Sequence, residues 1–335
     1  MALPARTIGP FSISAVSLGC MNLSHAYGTK PAEADAIRLI NHALDAGVTM
    51  LDTAALYGGG ANERLLTRAV MHRRREFTLA SKCVLDIVDG KRVLDGSPAA
   101  IARTLDAALQ RLGTDHIDLY YLHRLDRDVP IEESVGALAR AKEAGKIGAI
   151  GLSEMSAAML RRAHGVHPIA AMQTEYSPWV RNAEVAVLDA CRELGVGFVA
   201  FSPLARGLLA GSVTDNDFIP GDIRTGMPRF QSPNFAHNLA LAERFNAIAA
   251  NSGCTPAQLS LGWVLSRAPF VVPIPGTRSI GHLVENIAAA KIAVAASTLT
   301  QIDKLFAIEN IRGARYSVAV QQQIDTEIFP GEELA

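Results

Sequence analysis

The 335-residue sequence has no uninterrupted apolar run near the ~18 residues that would suggest a membrane span. Its start, MALPARTIGPF, lacks the basic-then-apolar layout of a secretory leader. An excess of charge of one sign is also missing: 32 Lys and Arg against 33 Asp and Glu leave a net charge of −1. That balance argues against nucleic acid or an anionic membrane as the main partner. The basic cluster HRRRE (72–76) reads as a solvated helix end before a strand. Cysteine is scarce and scattered. Cys20, Cys83, Cys191 and Cys254 form no C-x-x-C pair, which suits free thiols in a reducing cytoplasm better than disulfides or zinc. His164 and His167 fall in a helix end and loop, so no metal is expected. The chain is expected to be a cytoplasmic protein.

What is present is alternation. Short apolar or β-branched runs fall at 15–19 (AVSLG), 49–53 (TMLDT), 77–82 (FTLASK) and 117–123 (IDLYYLH). Four more follow at 148–153 (GAIGLS), 169–175 (IAAMQTE), 197–202 (GFVAFS) and 270–276 (FVVPIPG). Between them lie amphipathic helical patterns such as PAEADAIRLINHALDAG, SPAAIARTLDAALQRLG and TPAQLSLGWVLSRA, punctuated by Pro near the start or Gly past the end. Eight such units with no break in composition predict an α/β chain folded over 1–335 as one (β/α)8 barrel. An open doubly wound sheet would want G-x-G-x-x-G after the first strand, and SLGCMNLSHAYG stands there instead. One connection is long: residues 203–233, Gly/Pro-rich, with Arg206, Arg224 and Arg229 suggesting an anion nearby. A helix and tail follow the last strand.

Barrel enzymes work at the C-terminal ends of their strands. Asp52 ends the second run, Tyr57 sits in the glycine-rich turn LYGGGANE after it, Lys82 ends the third and His123 the fourth. Each alone has a bland explanation as a cap, a strand exit or a buried histidine. On three successive parallel strands, an acid, a phenol, an ammonium and an imidazole suit proton transfer to a carbonyl oxygen. The ammonium is expected to lower the phenol's pKa from about 10, and the aspartate to keep the lysine charged.

These residues resemble the catalytic tetrad of the aldo-keto reductases. Further matches are GKIGAIGLSE (145–154), QTEYS (173–177), FSPLARGLL (201–209) and PIPGTRSIGHLVENI (273–287), so the similarity runs over nearly the whole chain. LHRLDRDVPIEESVGAL and AHGVHPIAAMQTEYSPW are similar to the branch with auxin-induced-type and pyridoxal-type reductases, which shares features with potassium-channel β-subunits. The resemblance implies hydride transfer from NADPH, in preference to NADH, to an aldehyde or ketone. Tyr57 would be the general acid and His123 would orient the carbonyl. It implies Ser153 and Gln173 on the nicotinamide carboxamide, and Phe201 against the ring. Ser202, Leu204, Arg206 and Gly207 would hold the pyrophosphate. Gly276, Thr277 and Arg278 would hold the adenosine phosphate, and Glu285 and Asn286 the adenine. Gly19, Met21 and Asp52 complete the expected cofactor contacts.

The sequence departs from the family at Phe201, often tyrosine, at Glu154, often asparagine, and at His282, where many relatives carry arginine near the 2′-phosphate. Trp179 and Phe230, together with Met21 or Leu85, are expected to wall a pocket for a small carbonyl substrate. Homo-oligomerisation stays open, and the tail after Arg312 is expected either to close over the barrel or to meet another subunit. A carboxylate-based hydrolase would leave Lys82 and Tyr57 unexplained. A cofactor-binding regulatory protein of the channel β-subunit type is the alternative, against which stand the complete tetrad and the lack of an inactivating N-terminal extension.

Overall fold

The computed structural model describes residues 3–88 and 91–335, so the ends of the expected 1–335 unit at residues 1–2 lie outside it, as do 89–90. The chain starts with a hairpin the periodicity did not suggest, β1 (Ala5–Ile8) antiparallel to β2 (Phe11–Ser14). The first barrel strand, β3 (Leu18–Gly19), leads to α1 (Glu33–Asp45), and β4 (Met50–Asp52) leads to α2 (Ala61–Val70). After β5 (Thr78–Cys83) comes a second unexpected hairpin, β6 (Leu85–Val88) with β7 (Lys91–Leu94). Then α3 (Pro98–Leu112), β8 (Ile117–Leu122), α4 (Ile131–Glu143), β9 (Ile147–Ser153) and α5 (Ala157–Val166) alternate. They are followed by β10 (Ala171–Glu175), α6 (Val187–Leu194) and β11 (Gly197–Phe201). The long connection ends at α7 (Asn234–Asn251) and α8 (Pro256–Ser266) before β12 (Val271–Pro273). Three helices, α9 (Ile280–Ala288), α10 (Ala296–Leu305) and α11 (Val318–Gln321), complete the chain.

Local chemistry accounts for the helix ends. Ser97 caps α3 by accepting from the Ala100 N–H, and Gly113 ends it with φ 64°, a left-handed residue at low steric cost. Thr255 and Gln258 form a reciprocal capping box at the start of α8.

Strands β3, β4, β5, β8, β9, β10, β11 and β12 pair in that order, all in parallel. The seam between first and last is bridged by Ser17 N–H to the Pro273 carbonyl at 3.1 Å and Gly19 N–H to the Pro275 carbonyl at 3.3 Å. These close the (β/α)8 barrel. Its interior is filled by Met50, Ala80, Leu119, Tyr121, Val199 and Val272, and Ile8 and Ile13 of the first hairpin join them. A larger apolar layer packs between the strands and the helices. The first barrel strand is shorter than the expected 15–19 because serines draw its backbone into local bonds: Ser14 Oγ donates to the Val16 carbonyl at 2.8 Å, and Ser17 Oγ to the Ser14 carbonyl at 3.2 Å.

Gly19 sits at the seam, where an added Cβ would lie 2.7 Å from the Ile274 carbonyl oxygen. Gly19→Ala is therefore expected to destabilise the protein by about 1–3 kcal/mol, as overpacking does, read as a lower urea midpoint at unchanged slope.

Candidate active site

Strands β4, β5 and β8 end side by side, and their terminal polar residues meet. The Lys82 ammonium is buried and pairs with Asp52. It also donates to the Thr53 carbonyl at 2.9 Å and to Tyr57 Oη at 3.3 Å, so its three donors have three acceptors. The other Asp52 oxygen accepts from Gln173 Nε2 at 2.8 Å. His123 stands edge-on to the Tyr57 ring, with centroids 5.9 Å apart and planes at 82°. An acid, an ammonium, a phenol and an imidazole thus form one contiguous group.

The turn that presents Tyr57 follows from its sequence. Gly58, Gly59 and Gly60 take φ of 62°, 60° and 80°, a left-handed run that residues with a Cβ resist. Two residues just beyond it, Asn62 and Glu63, fasten it. Asn62 accepts from Thr53 Oγ1 at 2.6 Å and donates to the Cys20 carbonyl at 2.8 Å and Ser24 Oγ at 2.9 Å. Glu63 takes Ser81 Oγ at 2.7 Å and the Arg111 guanidinium at 2.5 Å. In the sequence these two read only as a helix start; a polar pair one residue past three glycines was the available signal.

Burial is the largest influence on Tyr57 and pushes its phenol pKa up; the Lys82 charge opposes this without overcoming it. The expectation of a lowered phenol pKa is corrected accordingly: Lys82 lowers it as expected, but burial outweighs Lys82 and favours the protonated phenol. Burial also disfavours the Lys82 ammonium, but Asp52 and then Tyr57 outweigh it, and the lysine pKa is raised. His123 is driven well below the ordinary histidine value, first by burial and then by Arg124, Lys82, Arg92 and His25, which keeps the imidazole neutral.

Above these groups lies a cleft of about 620 Å³. All the expected cofactor positions line it: Gly19, Met21 and Asp52; Ser153 and Gln173; Phe201, Ser202, Leu204, Arg206 and Gly207; and Gly276, Thr277, Arg278, His282, Glu285 and Asn286. Tyr57, His123 and Leu85 line it too. Trp179 and Phe230 do not. They stack edge-to-face at 5.5 Å in the outer core, where Arg229 lies 5.4 Å over the Trp179 ring and donates to its carbonyl.

The arginines of the long connection find partners within the protein. Arg224 pairs with Asp222 at 2.7 Å, and buried Arg229 bonds the Gly313 carbonyl at 3.1 Å, its pKa pushed down by burial to about 10. Arg206 pairs with Glu175 at 2.7 Å and donates to Tyr27 Oη at 3.2 Å and Tyr316 Oη at 3.3 Å. Of the three, Arg229 is away from the cleft, and the anion expected beside it is replaced by carbonyl oxygens.

The tail docks on the barrel rim. Arg315 pairs with Glu154 and Tyr316 donates to Glu175, so two acids at the ends of β9 and β10 face Arg315 and Arg206 in one buried network. Tyr316, Ser317 and Val320 thereby border the cleft. Sequence reasoning had left these residues unassigned, along with His25, Arg92 and Arg124, which also line it. No group of three or more His, Cys, Asp or Glu among the described residues could hold a metal ion, and no helix among them is long and apolar enough to cross a membrane.

The aldo/keto reductase family model matches residues 15–307. The aldo-keto reductase yakc, NADP(+), of Schizosaccharomyces pombe is 40% identical over 340 residues, 98% of this chain and 100% of that protein. The glycerol dehydrogenase of Gluconobacter oxydans has a similar structure, with TM-score 0.83 and 27% identity, covering 100% of both chains. A thermostable aldo-keto reductase in complex with the inhibitor epalrestat gives TM-score 0.73 and 27% identity, covering 90% of this chain and 100% of that one.

Proposed function

The chain belongs to the aldo/keto reductase family, and from that premise we propose that it is an NADPH-dependent oxidoreductase reducing aldehydes or ketones to alcohols. The observation that carries this reading is the buried Asp52–Lys82–Tyr57 chain beneath the cleft. The chain's own residues suit the cofactor. Asn22 Oδ1 and His123 Nδ1, buried in cleft-lining residues, have no hydrogen-bond partner among the described residues. Arg278 stands at the cleft beside the first turn of α9, where the N–H groups and dipole favour a phosphate.

When bound, NADPH would supply the hydride. Ser153 and Gln173 would hold its carboxamide, Gln173 through its amide oxygen or through the one N–H that its bond to Asp52 leaves over. The Arg206 guanidinium is occupied by Glu175, Tyr27 and Tyr316, so the backbone at 202–207 is the better candidate to approach the pyrophosphate. Tyr57, protonated by its surroundings, would give its proton to the substrate oxygen, and neutral His123 would orient that oxygen. Lys82 would stabilise the phenolate that remains.

The test is the fall in absorbance at 340 nm with NADPH, then NADH, against 4-nitrobenzaldehyde, pyridoxal and short aldehydes. Consumption of NADPH with an aldehyde is expected. Binding of NADPH without turnover on any carbonyl would replace this reading with the cofactor-binding regulatory one. Arg278→Ala is expected to raise KM for NADPH about 10-fold or more with little change in kcat, the pattern of a lost charge-assisted contact made equally throughout the reaction. An unchanged KM would remove Arg278 from the phosphate site.

A further inference from the structure

Around Tyr57 and His123 the cleft wall carries positive charge that has no acidic partner among the described residues. Arg124 follows His123 directly and is half-buried; one guanidinium nitrogen donates to the His123 carbonyl at 2.6 Å and to Ser153 Oγ at 3.3 Å. Arg92, on β7, lines the same cleft from its solvent-exposed side and donates to Gln323 Oε1 at 3.4 Å. Neither arginine has an acidic partner within 4.0 Å among the described residues. Arg111, Arg206, Arg224 and Arg315, by contrast, are all paired. The acids that line the cleft are Asp52, already tied to Lys82 and Gln173, and Glu285 on α9.

Burial first and then the neighbouring Arg124 disfavour the Arg92 charge, and after burial both arginines push His123 toward neutrality. An anion among them would relieve that repulsion. Arginine's planar fork suits carboxylate and phosphate oxygens, and Arg124, the less exposed, would grip harder. We propose that the carbonyl substrate carries an anionic group, carboxylate or phosphate, held by Arg124 and Arg92 while its carbonyl faces Tyr57 and His123. The proposal rests on the reductase reading above. The rival use of the same charge, general stabilisation of the developing alkoxide, would help neutral and charged aldehydes alike.

The experiment compares kcat/KM for 4-carboxybenzaldehyde with that for its methyl ester, and for pyridoxal phosphate with that for pyridoxal. In the wild type the charged member of at least one pair is expected to lead by about 10-fold or more, the scale of a charge-assisted hydrogen bond. Which pair shows the preference separates carboxylate from phosphate. Arg124→Gln should lower that ratio about 10-fold, Arg92→Gln by less because it is exposed, and the double substitution should bring it near one. Ratios near one in the wild type, or a ratio that the double variant preserves, overturn the proposal. If no aldehyde is turned over, the reductase reading fails separately. Calorimetric titration of 4-carboxybenzyl alcohol and its methyl ester, and of pyridoxine phosphate and pyridoxine, into NADP+-loaded protein then decides the anion site. Tighter binding of the anion in either pair, lost in the double variant, supports the site; equal binding in both pairs overturns it.

Discussion

Tyr57→Phe is expected to lower kcat for aldehyde reduction by at least about 100-fold, within the usual contribution of general acid catalysis, while NADPH affinity stays within a few-fold. The substitution removes one oxygen and leaves the ring, which contacts His123 edge-on at 5.9 Å and lies 5.0 Å from the Lys82 ammonium. Lys82 keeps Asp52 and the Thr53 carbonyl as acceptors, so the buried charge remains satisfied. A loss in kcat alone would therefore report the missing proton. A pH profile gives a second reading of the same group. A general acid works when protonated, so activity is present below its pKa and lost above it. With burial holding the phenol above its ordinary value of about 10, kcat/KM is expected to stay level through neutral pH and fall only in the alkaline range. His123, neutral far below its ordinary value, should add no step near pH 6.5. A Phe variant with wild-type kcat, or a profile falling through pH 7, would remove Tyr57 from the role of proton donor.

The barrel was legible because its signals are local and periodic: apolar runs at strand length, helical patterns, and Pro and Gly at helix ends. The rim residues were legible for a related reason, since a strand's last residue must leave the core and its identity can be read directly. The two hairpins were missed for different reasons. LDIVDGKRVL carries the D-G pair that favours a tight hairpin turn, but its two strands are only four residues each and fall outside the repeat of strand and helix. ARTIGPFSIS is short, and its membership of the barrel interior depends on Gly197, where an added Cβ would sit 2.4 Å from Ile8 Cδ1. No local pattern reports a contact 189 residues away along the chain. Trp179 and Phe230 went astray for the same reason. An aromatic in a connection beyond the strands can turn to the cleft or to the outer core, and contacts between segments distant in sequence, Trp179 with Arg229 and Arg229 with the Gly313 carbonyl, decide it. The tail's attachment through Arg315 and Tyr316 to Glu154 and Glu175 is likewise a long-range pairing of charges.

Lys82→Met should separate what the buried pair does for the fold from what it does for the reaction. Removing the ammonium leaves Asp52, 2% exposed, with Gln173 Nε2 as its remaining side-chain donor. Breaking a buried pair on one side costs about 3–5 kcal/mol, because the surviving charge is uncompensated. Adding Asp52→Asn removes that charge at every pH, and the double variant is expected to recover most of the urea midpoint. Activity should not return with it. Tyr57 would lack the ammonium at 3.3 Å that stabilises its phenolate as the proton departs, so both variants should stay at least about 100-fold below wild type. Recovery of activity together with stability would mean that Lys82 serves the fold alone. A single variant as stable as wild type would mean that the Asp52 charge is satisfied without its partner.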